Sequence, residues 1–228
     1  MKFKSGEIKL PNPKLKSKIS LEEAITKRKS LRAYTKSPLS LKEVSQLLFA
    51  GQGLLGGDRR TIPSAGAFYP IEIYLSAARI TDLPQGLYQH LPDGHKLKKI
   101  TSANRTAKLA AAAFGQIWVK NAPAVLIICG DFEKTVKKYQ DKGEDFVTME
   151  AGHAAQNISL QAAALNLGTL CVGGFNEKEA KSALNIEKNK KVFYLMPVGK
   201  TFKNQDEKEA EVLNDFYQIL EKEFLKDL

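Results

Sequence analysis

The sequence predicts one α+β domain, and three observations carry that reading. Apolar runs of strand length stand at 71–76, 124–129, 169–172 and 192–198, stretches of helical periodicity lie between them, and neither an internal repeat nor a linker separates two cores. With 228 residues, 43% hydrophobic and 26% charged, the chain can bury a sizeable core. None of its apolar runs approaches the roughly 20 residues of a membrane-spanning helix.

Residues 1–19, with Pro11, Pro13 and scattered lysines, read as an extended arm, and residues 20–228 as the domain. Ser20 with Glu23 forms a capping box ahead of a helix over 21–30; Ser40 with Glu43 forms another ahead of a helix over 41–53. In the second helix Leu41, Val44, Leu47 and Leu48 keep helical spacing. The loop RRTIPSAGAFYP leads to a strand in which Ile71, Ile73 and Leu75 alternate with Glu72 and Tyr74. A hairpin over 86–100 turns at Pro92, Asp93 and Gly94, where Asp-Gly supplies the positive φ of a tight turn. TAKLAAAAFGQIWV predicts one helix, APAVLIICG a fully buried strand, and the polar residues 131–145 are partly helical. The longest helical signal, 146–167, is apolar or small around most of its circumference, which predicts a central helix, stopped by Gly168. A short strand and glycine turn (TLCVGGF), a helix at 176–186 and a strand at 191–199 follow. The last element is an amphipathic helix, 206–226, with Leu213, Phe216, Tyr217, Leu220 and Phe224 on one face.

The net charge of +10 is local. Residues 1–60 hold 14 Lys or Arg against 5 acids, an excess of 9, whereas the remaining residues hold 21 against 20. Nucleic acid, an anionic membrane, a phosphorylated ligand and solvated surface all fit such a segment. Four of the six arginines (Arg28, Arg32, Arg59, Arg60) lie there, and their planar forks suit phosphate. A nucleic-acid module is the weaker reading, because aromatics do not interleave with the basic residues and no binding motif is present. Cys129 and Cys171 form neither a disulfide framework nor a CxxC pair, and the N-terminus lacks an apolar signal region, so a cytoplasmic location is expected. No His or Cys spacing predicts a metal site, and Walker A, GxSxG and GxGxxG patterns are absent.

Four spots carry candidate chemistry. Arg28, Lys29, Ser30 and Arg32 combine forked donors with a hydroxyl, the set that holds a phosphate or polyol, although cations at a helix C-terminus also serve simply as caps. Pro63, Ser64, Ala65 and Gly66 are small enough for a backbone to approach a flat ligand, or to make an ordinary turn. Gly173 and Gly174 close a short strand and can present amides to a ligand edge, and Lys200 follows the last strand within reach of an anion. His153, inside the apolar helix, reads as a hydrogen-bonded core residue.

Taken in order, RKSLRAY, PSAGAFYPIEIY, EAGHAAQNISLQAAALNLGT, VGGF and PVGK resemble the nitroreductase superfamily, and the second and third segments its SagB-type dehydrogenase branch. The resemblance spans roughly Ser20 to Lys200. It implies a nitroreductase-like sandwich, a mostly antiparallel sheet flanked by helices, that forms a homodimer through long central helices with two FMN molecules at the interface. By the same resemblance Arg28, Lys29 and Ser30 contact the phosphate and ribityl chain, and Arg32 and Arg60 fit pattern positions. Pro63, Ser64, Ala65 and Gly66 lie against the flavin of the other subunit, Gly173 and Gly174 meet its ring near N5, and Lys200 is the cation after the last strand. Many nitroreductases carry an acid immediately before the second glycine; Gly173 stands there in this chain. Lys138 and Tyr139 resemble the Lys-Tyr pair that removes a proton in azoline-oxidising members, and a solvated KKY fits the same polar stretch.

The implied activity is that of an FMN-dependent oxidoreductase passing hydride through flavin N5 in a ping-pong cycle, with NAD(P)H as electron donor. It would reduce nitro or quinone compounds, or oxidise a small organic or peptide-azoline substrate alongside peptide-maturation partners. A non-catalytic flavin-binding protein is the alternative for which Gly173 leaves room.

Overall fold

A seven-stranded antiparallel sheet frames the molecule in the computed structural model, which describes residues 6–187 and 189–224. Lys2, Lys4 and positions 225–226 of the expected tail helix lie outside the described residues, as does the side chain of Phe224. In chain order the elements are β1 (Glu7–Lys9), α1 (Leu21–Lys27), β2 (Leu39–Ser40), α2 (Leu41–Gln52), β3 (Ile71–Ala77), β4 (Ile80–Thr81), β5 (Gly86–Leu91), β6 (Lys96–Thr101), α3 (Thr106–Ala112), α4 (Ile117–Asn121), β7 (Ala124–Asp131), α5 (Glu133–Tyr139), α6 (Lys142–Ala164), β8 (Leu167–Thr169), α7 (Glu177–Leu184), β9 (Lys190–Lys200) and α8 (Gln205–Phe224). The main sheet runs β1-β6-β5-β3-β7-β9-β8, and β2 and β4 form a short parallel pair.

Both faces of the sheet are covered. Ile71, Ile73 and Leu75 of β3 pack with Leu47 and Leu48 of α2 and with Val147, Ala151 and Ile158 of α6. On the other face Tyr74 packs with Ile127 and Cys129 of β7 and with Leu109, Trp118 and Leu184 of the helices. The alternation in β3 therefore separates two cores rather than core from solvent, and Tyr74 and Ser76 are buried.

The two capping boxes form as expected. Three of the expected helices depart most from the sequence reading, each at a local change of backbone conformation. α1 stops at Lys27, because Arg28 is extended (φ −62, ψ 117), so Arg28, Lys29 and Ser30 leave the helix. The single helix expected over TAKLAAAAFGQIWV breaks into α3 and α4, since Phe114 and Gly115 take φ of 55 and 74. α6 begins at Lys142 and ends at Ala164; its stop is Asn166 in the left-handed region (φ 53), which asparagine tolerates, while Gly168 belongs to β8.

The N-terminal segment joins the sheet edge: β1 pairs with β6, and Ile8 and Leu10 are buried. A directed hydrogen-bond chain holds the residues just after β1. The Ser45 hydroxyl donates to Pro11 O at 2.6 Å, so its oxygen accepts from His95 Nε2–H at 2.7 Å. His95 Nδ1 is then left to accept from His90 Nε2–H at 3.4 Å, and His90 Nδ1 ends the chain, buried and unpartnered. Leu10 N also donates to His95 O at 3.0 Å. Burial, with His95 and Arg60 nearby, pushes the His90 imidazole down to about 3. The unfolded chain takes up this proton near pH 6.5 and the folded chain does not, so stability is complete above that pH and falls as the pH drops toward 3, by up to about 1.4 kcal/mol per unit. Urea denaturation at pH 7 and pH 5 is expected to show that loss, and His90→Phe to flatten it.

Candidate functional site

Residues 28–35 form neither helix nor strand and are pinned by their main chain. Leu31 N donates to Thr169 O at 3.0 Å and Thr35 N to Lys200 O at 2.9 Å. Arg32 N and Ala33 N both donate to Glu209 Oε1, at 2.6 and 2.7 Å. These bonds lay Arg28, Lys29, Ser30 and Arg32 alongside the end of β8. Arg28 and Arg32 are half-buried, while Lys29 and Ser30 are exposed. Lys29 Nζ meets Asp206 at 2.6 Å, Arg32 lies 5.5 Å over the Trp118 ring, and Lys200 Nζ is 3.9 Å from Glu43.

Gly173 and Gly174 follow on the same side. Neither has positive φ, and a Cβ built at Gly173 would meet only Tyr194 at 3.8 Å, one at Gly174 nothing. Internal packing does not require glycine at either position. What their lack of side chains provides is an open approach to backbone N–H groups.

The loop at 63–66 is built differently. Gly66 has φ 62, and a Cβ there would lie 2.9 Å from Tyr139 Oη, so conformation and crowding both demand glycine. Glu150 of α6 holds this loop: its Oε1 accepts from Ser64 Oγ and from Ala65 N, each at 2.9 Å, and Ser64 Oγ in turn accepts from Tyr69 N at 2.8 Å. Glu150 Oε2 is buried without a partner, and burial holds the carboxyl above the usual range despite those bonds. The sequence reading assigned Glu150 no role; the available signal was an acid on the inner side of an otherwise apolar helix. A cavity of about 260 Å³ opens here, lined by Pro63, Ser64, Ala65, Phe146, Met149, Glu150 and His153. His153 is exposed, not a core residue, because it falls on the outward face of α6.

Tyr139, at the end of α5, is half-buried between Phe146 and Phe68, with ring centroids at 5.1 and 6.3 Å, and so stands at the same loop. Lys138 is exposed. Arg60 lies 4.8 Å over Tyr69 and donates to Gln52 Oε1 at 2.8 Å; burial lowers its pKa.

The candidate residues thus fall into two groups. Glu150 fixes the 63–66 loop, while the 28–32 segment is tied to Thr169 of β8 and to Glu209 of α8. Each group thus has its own supports.

Glu150→Ala leaves the Ser64 hydroxyl and Ala65 amide without their acceptor and is expected to cost about 2–4 kcal/mol of stability. Glu150→Gln, which keeps an acceptor oxygen, should cost less; urea denaturation at neutral pH measures both.

The nitroreductase family model matches residues 25–200. A Methanocaldococcus jannaschii protein carrying the nitroreductase name, MJ1384, is 41% identical over 197 residues, covering 85% of this chain and 96% of that one. The microcin B17-processing protein McbC of Escherichia coli is 27% identical over 162 residues, covering 67% of this chain and 58% of its own, which accords with the SagB-type branch. The NADPH-flavin oxidoreductase of Vibrio harveyi is 26% identical over 118 residues, covering 48% and 49% of the two chains. A Ralstonia eutropha crystal structure carrying the nitroreductase name superposes with a TM-score of 0.76 at 25% identity, covering 88% of this chain and 91% of that one. Its sheet, its segment order and these relatives agree: the chain belongs to the nitroreductase family and is a flavin-dependent oxidoreductase.

Proposed function

We propose that the protein is an FMN-dependent oxidoreductase acting as a homodimer, with each flavin held by the 28–32 segment and glycine turn of one copy and the 63–66 loop of the other. The supporting observation is that the two sets are built separately, the 63–66 loop on Glu150 of α6 over a cavity and the 28–32 segment on β8 and α8. Where they are open they suit FMN: a basic segment with a hydroxyl, two glycines with almost nothing near a notional Cβ, and a small-residue loop over a cavity. Exposed Leu15, Leu21, Ile25 and Met149 supply apolar surface for a second copy.

Bound FMN would supply reversible hydride chemistry at its ring. Arg28 and Ser30 would hold the phosphate through charge-assisted and hydroxyl bonds, and Lys29 would exchange Asp206 for it. Gly173 and Gly174 would offer amides to the ring edge, Lys200 a positive charge nearby, and Pro63, Ser64, Ala65 and Gly66 a wall that keeps water from the ring face. NAD(P)H is the proposed electron donor and nitro or quinone compounds the substrates. The second reading is azoline oxidation with peptide-maturation partners, favoured by the similarity to McbC and by the position of Tyr139, whose Oη would take a proton at the Gly66 loop with Lys138 beside it in sequence.

The purified protein is expected to be yellow and to release FMN on denaturation. Arg28→Ala should raise the FMN dissociation constant by about tenfold or more, read by fluorescence quenching; unchanged retention would refute the phosphate role. Tyr139→Phe should lower kcat for azoline oxidation by about 100-fold while leaving flavin content intact, if Tyr139 moves the proton.

A further inference from the structure

α8 lies beyond residues 25–200, the part that matches the family, yet its first turns hold the segment proposed to bind the flavin phosphate. Glu209 Oε1 accepts from Arg32 N at 2.6 Å, from Ala33 N at 2.7 Å and from Gln205 Nε2 at 2.8 Å. Gln205 Nε2 also donates to Ala33 O at 2.9 Å, and its Oε1 accepts from Phe202 N at 2.8 Å. Because residues 28–35 belong to no helix or strand, the amides of Arg32 and Ala33 depend on Glu209 for their acceptor. Further along α8, Phe216 packs on Trp118 with ring centroids 4.7 Å apart, and the Arg32 guanidinium lies 5.5 Å over the other partner of that contact, the Trp118 ring. Arg32 is thus fixed from α8 twice, at its amide and, through Trp118, at its side chain.

We propose that α8 braces the phosphate-binding segment and that Glu209 is its positioning residue. The proposal rests on the FMN reading of Arg28 and Ser30. Two successive amides converging on one carboxylate oxygen fix two peptide planes with charge-assisted bonds. Without them Arg32 N and Ala33 N lose their acceptor, and the Leu31 tie to Thr169, the Thr35 tie to Lys200, the Gln205 bond to Ala33 O and the Tyr34 bond to Leu31 O leave part of the segment for ligand binding to order. Asp206, highly exposed, pairs with Lys29 as a surface partner that a phosphate can replace at little cost.

A brace of this kind acts on the phosphate end of the ligand and spares the ring, so the test compares FMN with riboflavin, which lacks the phosphate. Both are titrated against the full chain by flavin fluorescence quenching. Glu209→Ala should reduce the preference for FMN over riboflavin by about tenfold or more and leave riboflavin binding within about twofold, while Glu209→Gln, which keeps an acceptor oxygen, should retain most of the preference. Equal weakening of both flavins, or an unchanged preference in Glu209→Ala, overturns the proposal. Should Glu209→Ala fail to fold, Gln205→Ala decides: a few-fold fall in the same preference supports the brace and no fall overturns it. Arg28→Ala, run in parallel, separates the two levels. If it too leaves the preference intact, the phosphate reading of the segment fails, and the brace fails with it.

Discussion

The 63–66 loop is set against α6 through Glu150, and the position of α6 depends on how closely it can lie to its neighbours. Its buried side presents Ala151, Ala154, Ala155, Ala162 and Ile158 to the sheet and to α2. α2 can approach only because Gly51 has no side chain: a Cβ there would fall 2.6 Å from Ile73 and 2.9 Å from Ile158. At the same level Asn157 donates to Ala50 O at 3.2 Å and Thr61 O at 3.1 Å, tying α6 to the end of α2 and to the approach of the 63–66 loop. Close packing by small residues turns a helix into a rigid datum, from which Glu150 reaches the 63–66 loop.

The basic N-terminal quarter acquires specific roles once folded. Arg60 stacks on Tyr69, Lys9 donates to Gly94 O beside the paired β1, Lys27 pairs with Glu23, and Lys29 and Arg32 are drawn toward α8. Arg28 is half-buried and Ser30 and Arg59 are exposed. Lys14, Lys16 and Lys18 are exposed along the segment that runs past α2, where Lys14 N donates to Gln46 Oε1 at 2.8 Å; their contribution is solvated charge and main-chain anchoring. A charge excess that composition left open among four kinds of partner thus resolves into internal pairs, solvated lysines and one short segment proposed to bind an anion.

Local chemistry was enough to read much of this. The capping boxes at Ser20 and Ser40, the Asp-Gly hairpin, the unbroken apolar strand at 124–131 and the small-residue helix all depend on neighbours within a few positions, and all form. The breaks at Phe114, Arg28 and Asn166 did not follow from such patterns, because Phe114 and Asn166 enter the left-handed region and Arg28 the extended one within stretches whose residue pattern continues the helix. His90, His95 and Ser45 are unremarkable in sequence and become a chain only when β5, the hairpin turn and α2 converge.

By itself the sequence determined the class of fold, the order of its segments and the residue types available to a flavin, since periodicity, capping and motif spacing are properties of the linear chain. Tertiary structure alone decided that Glu150 holds the 63–66 loop and Glu209 the amides of Arg32 and Ala33. Those two carboxylates meet amides 85 and 177 positions away, and hydrogen bonds across such separations exist only after the sheet, α6 and α8 have packed.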